Sequence, residues 1–277
     1  MITVCSWYER VRKARIVDPI NNDPRNTGVP GTCLGMSSDW IFKVAIAGGQ
    51  AQFDDPIGNF SAKDRVLLYA LFNQKGHVLE LIHAFQNLLN FPEQLNRATI
   101  LDIGCGPFTA GLAIANVLGG DVDFRYFGVD TSREMCALGG DLAILAREEG
   151  GLSAGVSVQF TDSIEAIDFG NARFGWTVVV LSYLLASDSL DIPTVVRQIV
   201  EACNRIGPGP VAVLYTNSGF AARRASFPEF DTRMRDAGFK CEVVDTEMLE
   251  GGNKNRHIHY ALFTRGPMKI ALGDVAR

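Results

Sequence analysis

From Ala98 onward, short runs of β-branched and aromatic residues alternate with helix-length segments, and that alternation leaves few folds open. Residues 99–103 (Thr99-Ile100-Leu101-Asp102-Ile103), 124–130, 157–160, 176–182 and 211–215 read as five strands. Between them, residues 109–118, 134–149 and 192–205 carry apolar side chains at helical spacing. The run 176–182 is nearly all apolar, as a central parallel strand covered on both faces requires. Strands joined through helices return as right-handed crossovers, so the expected fold is α/β with a doubly wound, mostly parallel, Rossmann-like sheet. Two further strand-like runs, 240–244 and 257–264, flank the turn-rich Gly251-Gly252-Asn253. This hairpin brings the sheet to seven strands and predicts an antiparallel terminal strand at its edge.

Residues 1–97 lack the strand-then-glycine punctuation and read as a helical N-terminal extension to an α/β domain at 98–277. Residues 18–35 are rich in Pro, Gly and Asn and read as a long loop. Ser61 followed by Asp64 has the spacing of a capping start, with Val66, Leu67, Ala70 and Leu71 at helical spacing after it. A second helix is expected over 77–89, where Val78, Leu81, Ile82, Phe85, Leu88 and Leu89 share a face, and Pro92 stops the pattern.

The segment Leu101-Asp102-Ile103-Gly104-Cys105-Gly106-Pro107 closes the first strand of the sheet and opens a helix. In a doubly wound sheet that position borders the ligand crevice, where glycines let a small molecule approach the backbone. A dinucleotide loop, G-x-G-x-x-G, would have its third glycine where this chain has Thr109. The chain carries instead an acid two residues before the first glycine, giving D-x-G-x-G. A carboxylate there suits a cationic amine better than a pyrophosphate. A second acid, Asp130, ends the next strand 24 residues after Gly106. Its two acceptor oxygens can take both hydroxyls of a ribose.

These motifs resemble those of the class I S-adenosylmethionine-dependent methyltransferases, and the resemblance extends over about residues 98–265. It implies S-adenosyl-L-methionine as cofactor. By position, Asp102 then holds the methionyl amine, and Gly104, Cys105 and Gly106 pass beneath the donor. Asp130 takes the ribose with Thr131 beside it, Ser132 and Met135 flank the adenine, and Asp162 and Ser163 lie near the adenine amino group. Ser182 and Tyr183 end the fourth strand beside the transferred methyl, which makes Tyr183 the catalytic candidate. Three of these positions have a second reading: Asp162 as a helix cap, and Ser182 and Tyr183 as parts of the fold alone. Cys105, near a helix N-terminus that lowers a thiol pKa, also reads as a small residue in a tight loop.

Charge and composition narrow the function classes. With 26 basic and 31 acidic residues the net charge is −5, which argues against a chain whose main task is gripping a nucleic-acid backbone. The charge-free stretch 103–120 contains five glycines and a turn signature, so it reads as loop plus helix and no membrane partner is expected. Six scattered cysteines without a C-x-x-C, and a first segment without an apolar core, place the chain as a cytoplasmic protein with reduced thiols. His257 and His259 share a strand face but lack further ligands, so no metal is expected.

After the fourth strand stands Ser182-Tyr183-Leu184-Leu185, not the Asn/Asp-Pro-Pro-Tyr/Phe turn of methyltransferases that act on base amino groups. A small-molecule acceptor is preferred, held between the N-terminal extension and the loop at 217–230. Trp7, Tyr8, Trp40 and Tyr69 are the aromatic candidates to line its pocket, the first two on a lid that folds back across it. Arg223-Arg224 faces either an anionic substrate or solvent. RNA or protein acceptors, and a non-catalytic S-adenosylmethionine-binding protein, are the alternatives; an NAD-dependent oxidoreductase is disfavoured by Thr109 and Asp102.

Overall fold

The computed structural model describes residues 2–88, 95–187, 190–249 and 256–268. Pro92 and the turn at Gly251-Gly252-Asn253 lie outside the described residues. The chain opens with α1 (Ser6–Arg12), which passes through a π-helical turn at Lys13–Val17 into α2 (Asp18–Asn21). The loop expected from residue 18 thus begins as helix. Pro19 follows the π-helical turn within this continuous helical run, so the irregular turn stands where its missing N–H interrupts the regular ladder. A short antiparallel hairpin follows, β1 (Thr32–Cys33) and β2 (Met36–Ser37). Leu34 and Gly35 turn it with positive φ of 48° and 80°, the left-handed pair that tight hairpins demand. Helix α3 (Ser38–Trp40) leads to a glycine-containing segment. Then come α4 (Ala62–Tyr69), opened by the expected capping box of Ser61 and Asp64, and α5 (Lys75–Leu88), with a π-helical stretch at Ala70–Gln74 between them.

The main sheet has seven strands among the described residues: β3 (Thr99–Ile103), β4 (Arg125–Val129), β5 (Ser157–Thr161), β6 (Thr177–Ser182), β7 (Val211–Ser218), β8 (Lys240–Leu249) and β9 (Arg256–Arg265). Their spatial order is β5-β4-β3-β6-β7-β9-β8. The first five strands are parallel, and β9 is antiparallel to both of its neighbours. The last strand is therefore antiparallel as expected, but it is not the edge. It inserts between β7 and β8, and β8, half-exposed along most of its length, closes the sheet. The reason is burial: β9 is apolar over Ile258–Phe263 apart from His259, whereas β8 carries Glu242, Asp245 and Glu247.

Helices α6 (Thr109–Leu118), α7 (Arg133–Glu148), α8 (Ile192–Ile206) and α9 (Phe227–Asp236) cover the sheet. Alternation along each strand sorts the core into two faces. Ile100, Tyr126, Val178, Val180, Leu214 and Leu262 pack with α6, α7 and the N-terminal helices. Leu101, Phe127, Val179, Leu181, Val213 and Phe263 pack with α8 and α9. Asp102 falls on the first face by the same period.

Trp7 and Tyr8, expected on a lid, are core residues of that face, and Trp7 is 7% exposed. The Trp7 ring lies so close over Gly151 that a Cβ there would meet it at 2.4 Å, which fixes the first helix beside the end of α7. No helix among the described residues is long and apolar enough to cross a membrane.

Candidate functional site

The sheet order reverses between β3 and β6, and the crevice at the C-terminal ends of these two strands is where an open α/β sheet binds ligand. Gly104 and Gly106 form its floor with φ of 72° and 51°, left-handed values that side chains disfavour. The N–H groups of Gly104 and Cys105 both donate to the carbonyl of Val129, at 2.8 and 3.0 Å, tying the loop to the end of β4. A cavity of about 420 Å³ opens above it. Gly104, Gly106, Asp130, Thr131, Met135, Ser182 and Tyr183 line this cavity. A branch of about 310 Å³ shares Gly104, Asp130 and Thr131 and reaches Asp162 and Ser163. A water-sized pocket of about 10 Å³ on the inner side holds Asp102, Cys105, Thr109 and Ser182.

The two acids at the strand ends are held differently. Asp130 accepts from the N–H of Gly106 and of Ser132, each at 2.9 Å, so it clamps the glycine loop to the start of α7. Each oxygen keeps a further lone pair, and the residue lines the cavity. Burial raises its pKa against those two hydrogen bonds. Asp102 is 1% exposed. Its Oδ2 accepts from the hydroxyl of Tyr126 at 2.5 Å, its Oδ1 makes no hydrogen bond of ordinary geometry, and the Ala110 N–H in the first turn of α6 faces the carboxyl. Burial pushes its pKa to about 7, outweighing the Tyr126 hydrogen bond, with the charge of Asp130 adding to the rise. The buried Thr109 hydroxyl in the same pocket is also unpartnered. A buried carboxylate oxygen and a hydroxyl, both unpartnered and facing one small space, suit an ammonium group.

The remaining candidates divide by what their side chains already do. The Ser132 hydroxyl caps α7, accepting from the N–H of Met135 at 3.2 Å, and donates to Asp54 at 2.7 Å. The thiol of Cys105 lies under Gly128 and donates to the Gly106 carbonyl at 3.3 Å. Burial holds it well above the usual thiol pKa, so it is a neutral filler of the loop, not an activated thiol. Ser163 donates to Glu165 at 2.7 Å, while Asp162 is exposed in its branch of the cleft. Ser182 Oγ accepts from Thr216 at 3.1 Å. Tyr183 leaves the end of β6 with φ of 60°, and its ring stacks on His77 with centroids 4.0 Å apart. Its hydroxyl hydrogen-bonds to Glu80, and burial together with that carboxylate keeps it protonated, which removes it as a base.

Sequence reasoning missed the cover of the site. The π-helical stretch Ile41–Ala45 ends in Ala47, Gly48 and Gly49, all with positive φ, and the segment that follows lays Gln50, Gln52 and Phe53 over the cavity. Gly49 has no side chain because Tyr69 and Asn73 occupy that space, 3.2 and 3.1 Å from where a Cβ would stand. Tyr69 lines the cavity, whereas Trp40 packs on Phe60 away from it. Two ties hold the cover down. Asp54 accepts from the Ser132 hydroxyl and, at 3.1 Å, from the Arg133 N–H at the start of α7. The buried Arg65 guanidinium donates to the carbonyls of Ala45 at 2.8 Å and Gln52 at 2.6 Å, and to that of Asp55. The run Ala47-Gly48-Gly49 was the one local signal for this segment.

Arg65→Met keeps the volume and removes three carbonyl contacts, each worth about 1.5–3 kcal/mol to a charged donor before rehydration offsets part of it. The expected result is faster amide exchange over residues 46–55 with the sheet still protected. Unchanged exchange there would show that the cover is held by packing alone.

No protein-family model matches the sequence, and no curated protein matches it. Among solved structures, the chain is similar to an arsenic(III) S-adenosylmethionine methyltransferase from Chlamydomonas reinhardtii, at 13% identity over 69% of this chain and 75% of that one, with a TM-score of 0.44. It is similar to a SAM-dependent methyltransferase from Methanosarcina mazei at 18% identity, over 64% and 96% of the two chains, with a TM-score of 0.43. A magnesium protoporphyrin IX methyltransferase from Synechocystis, crystallised with S-adenosylmethionine, gives 14% identity over 81% and 93%, with a TM-score of 0.39.

Proposed function

We propose that this protein is an S-adenosylmethionine-dependent methyltransferase acting on a small-molecule acceptor. The observation that carries this reading is a series of acids: Asp130 in the cavity, Asp162 in its outer branch, and Asp102, with its unpartnered Oδ1, in the small pocket that shares Gly104 and Ser182 with the cavity. The cofactor presents a matching series of groups, an ammonium, a ribose diol and an adenine amino group. A dinucleotide would instead bring a pyrophosphate over the glycine loop toward Asp102, where like charges repel.

When bound, the donor supplies a methyl already activated on a sulfonium. The chain's own part is alignment and exclusion of water. Asp102 and Asp130 anchor the two ends of the donor's polar backbone. The cover at Gln50–Phe53, with Tyr69 and Tyr183, closes the space in which the acceptor meets the methyl. Holding two reactants in line is worth several kcal/mol of the barrier, of the order of 7–11 at best. A concave cavity of a few hundred Å³, partly covered by Gln50–Phe53, and a net charge of −5 favour a small acceptor over RNA or a protein.

Thermal unfolding with S-adenosylmethionine and, separately, with NAD tests the donor. At 100 times its dissociation constant the true ligand stabilises the fold by about 2.7 kcal/mol. S-adenosylmethionine is expected to give that shift and NAD none; the reverse overturns the reading. Gly104→Val is the matching variant. Its Cβ would stand 2.9 Å from Leu184 Cδ1 and its backbone would be strained at φ 72°. It is expected to keep the far-ultraviolet dichroism of the parent and lose the donor shift. Transfer of labelled methyl into a cell extract then separates an enzyme from a silent binder.

A further inference from the structure

We propose that the acceptor is a small molecule bearing an oxyanion, a carboxylate or a phosphate, beside an apolar body, and that Arg223 captures the oxyanion at the mouth of the cleft. This rests on the reading of the crevice as the donor site.

The turn Ala221–Arg224 follows β7 and packs against Leu184–Ala186, the turn that forms one wall of the cleft. It is held rigidly from below. Asn217, fully buried, donates from Nδ2 to the Arg223 carbonyl at 2.8 Å, and the Arg223 N–H donates to the Phe220 carbonyl at 3.0 Å. Arg224 turns inward, where its Nη1 donates to Nδ1 of the buried His259 at 3.1 Å. Thr246 Oγ1 lies 2.9 Å from the same nitrogen, and burial and the Arg224 charge keep the imidazole neutral.

With its neighbour spent on the fold, Arg223 is presented outward on a fixed backbone. Among the described residues its guanidinium has no acid or carbonyl partner. It points at the cover of the site: Arg223 Nη2 and Phe42 Cε1 lie 3.5 and 3.9 Å from the place a Cβ on Gly48 would occupy, and the next residue, Gly49, lines the cavity. Phe42 is 44% exposed and shares the space over Gly48 with this guanidinium, so an unburied aromatic ring stands beside it.

A guanidinium presents paired N–H donors that match the two oxygens of a carboxylate or phosphate, and aromatic rings cover an apolar body. Among the described residues no Lys or Arg lines the cavity or its outer branch, so nothing inside competes for the anion. The acceptor's reacting atom then enters the space under Gln50–Phe53 while its charged end stays at the rim.

The test uses the full chain, methyl-tritiated S-adenosylmethionine and the small-molecule fraction of a cell extract. Products are separated by anion exchange, with and without phosphatase treatment. Tritiated products retained on the exchanger are expected, phosphatase-sensitive for a phosphate and insensitive for a carboxylate. Arg223→Glu is expected to lower incorporation by about tenfold or more, since a hydrogen bond to a charged group is worth about 1.5–3 kcal/mol. Arg223→Lys is expected to fall between, keeping the charge and losing the paired geometry. Donor affinity by calorimetry is expected to be the same in all three proteins. Unretained products, label in RNA or protein, no labelled small molecule, or full incorporation by Arg223→Glu each overturn the proposal. Failure of the parent to bind donor in the calorimeter is a separate result, and it removes the reading of the crevice itself.

Discussion

Asp102→Asn is expected to stabilise the empty protein above pH 7 and to cost it the donor. The carboxyl is buried, and its pKa stands at about 7 against an ordinary value of 3.8. The folded state therefore holds this proton longer than the unfolded state does. The group's contribution to stability is complete below about pH 4 and is lost as pH rises to 7. The loss is of the order of 1.4 kcal/mol for each pH unit of that interval, a few kcal/mol in all. Asparagine carries no such charge, and its carbonyl can still accept from Tyr126, so denaturation curves of the variant are expected to lose this slope.

Donor affinity has the opposite dependence. In the proposed function the ionised carboxylate meets the ammonium, so parent affinity is expected to climb from pH 5 to 7. It should fall again as the donor's amino group loses its proton near pH 8. In Asp102→Asn the acid limb of that profile is expected to be flat and affinity lower by roughly ten- to a hundredfold, the range for one charge-assisted contact. A variant that binds donor within twofold of the parent across this range would remove Asp102 from the site.

Asp130→Ala is expected to be costlier still, because this carboxylate has two tasks. It joins the Gly106 and Ser132 N–H groups across the crevice, and in the proposed function its remaining lone pairs accept from the ribose diol. Two hydrogen bonds to a charged acceptor amount to about 3–6 kcal/mol, or about a hundred- to ten-thousandfold in affinity. The melting temperature of the empty protein is expected to drop as well, since the glycine loop loses its clamp. Asp130→Asn retains one acceptor and is expected to lie between in both measurements. If calorimetry finds S-adenosylmethionine bound normally by Asp130→Ala, the ribose assignment is wrong, whatever happens to stability.

What could be read from the chain was what local chemistry imposes. The strand at Thr99–Ile103 and the helix at Thr109–Leu118 begin and end where the sequence placed them, because a short β-branched run, a pair of glycines and a 3.6-residue period are each complete within a few neighbours. The capping box at Ser61 and Asp64 was legible for the same reason. So were the acids at 102 and 130, since a doubly wound sheet puts its crevice at strand ends whatever the rest of the chain does.

What tertiary structure decided depends on residues far apart that carry no periodic signature. Asp54 meets Ser132 across 78 positions, and nothing near either residue announces the pairing. The apolar faces of Trp7 and Tyr8 required a partner, but a lid and a core offer an apolar ring the same burial. The choice was made by Gly151, whose missing side chain leaves room for the indole. The hairpin's two strands were visible, but their order was not. Which one inserts beside β7 is decided by which can lose both faces to the core, and β8, with three acids along it, cannot. Sequence alone therefore determined the strands, the crevice and the two acids at its strand ends, through short-range sterics and burial. The covered site, with its outward-facing Arg223, exists only once distant segments are packed together.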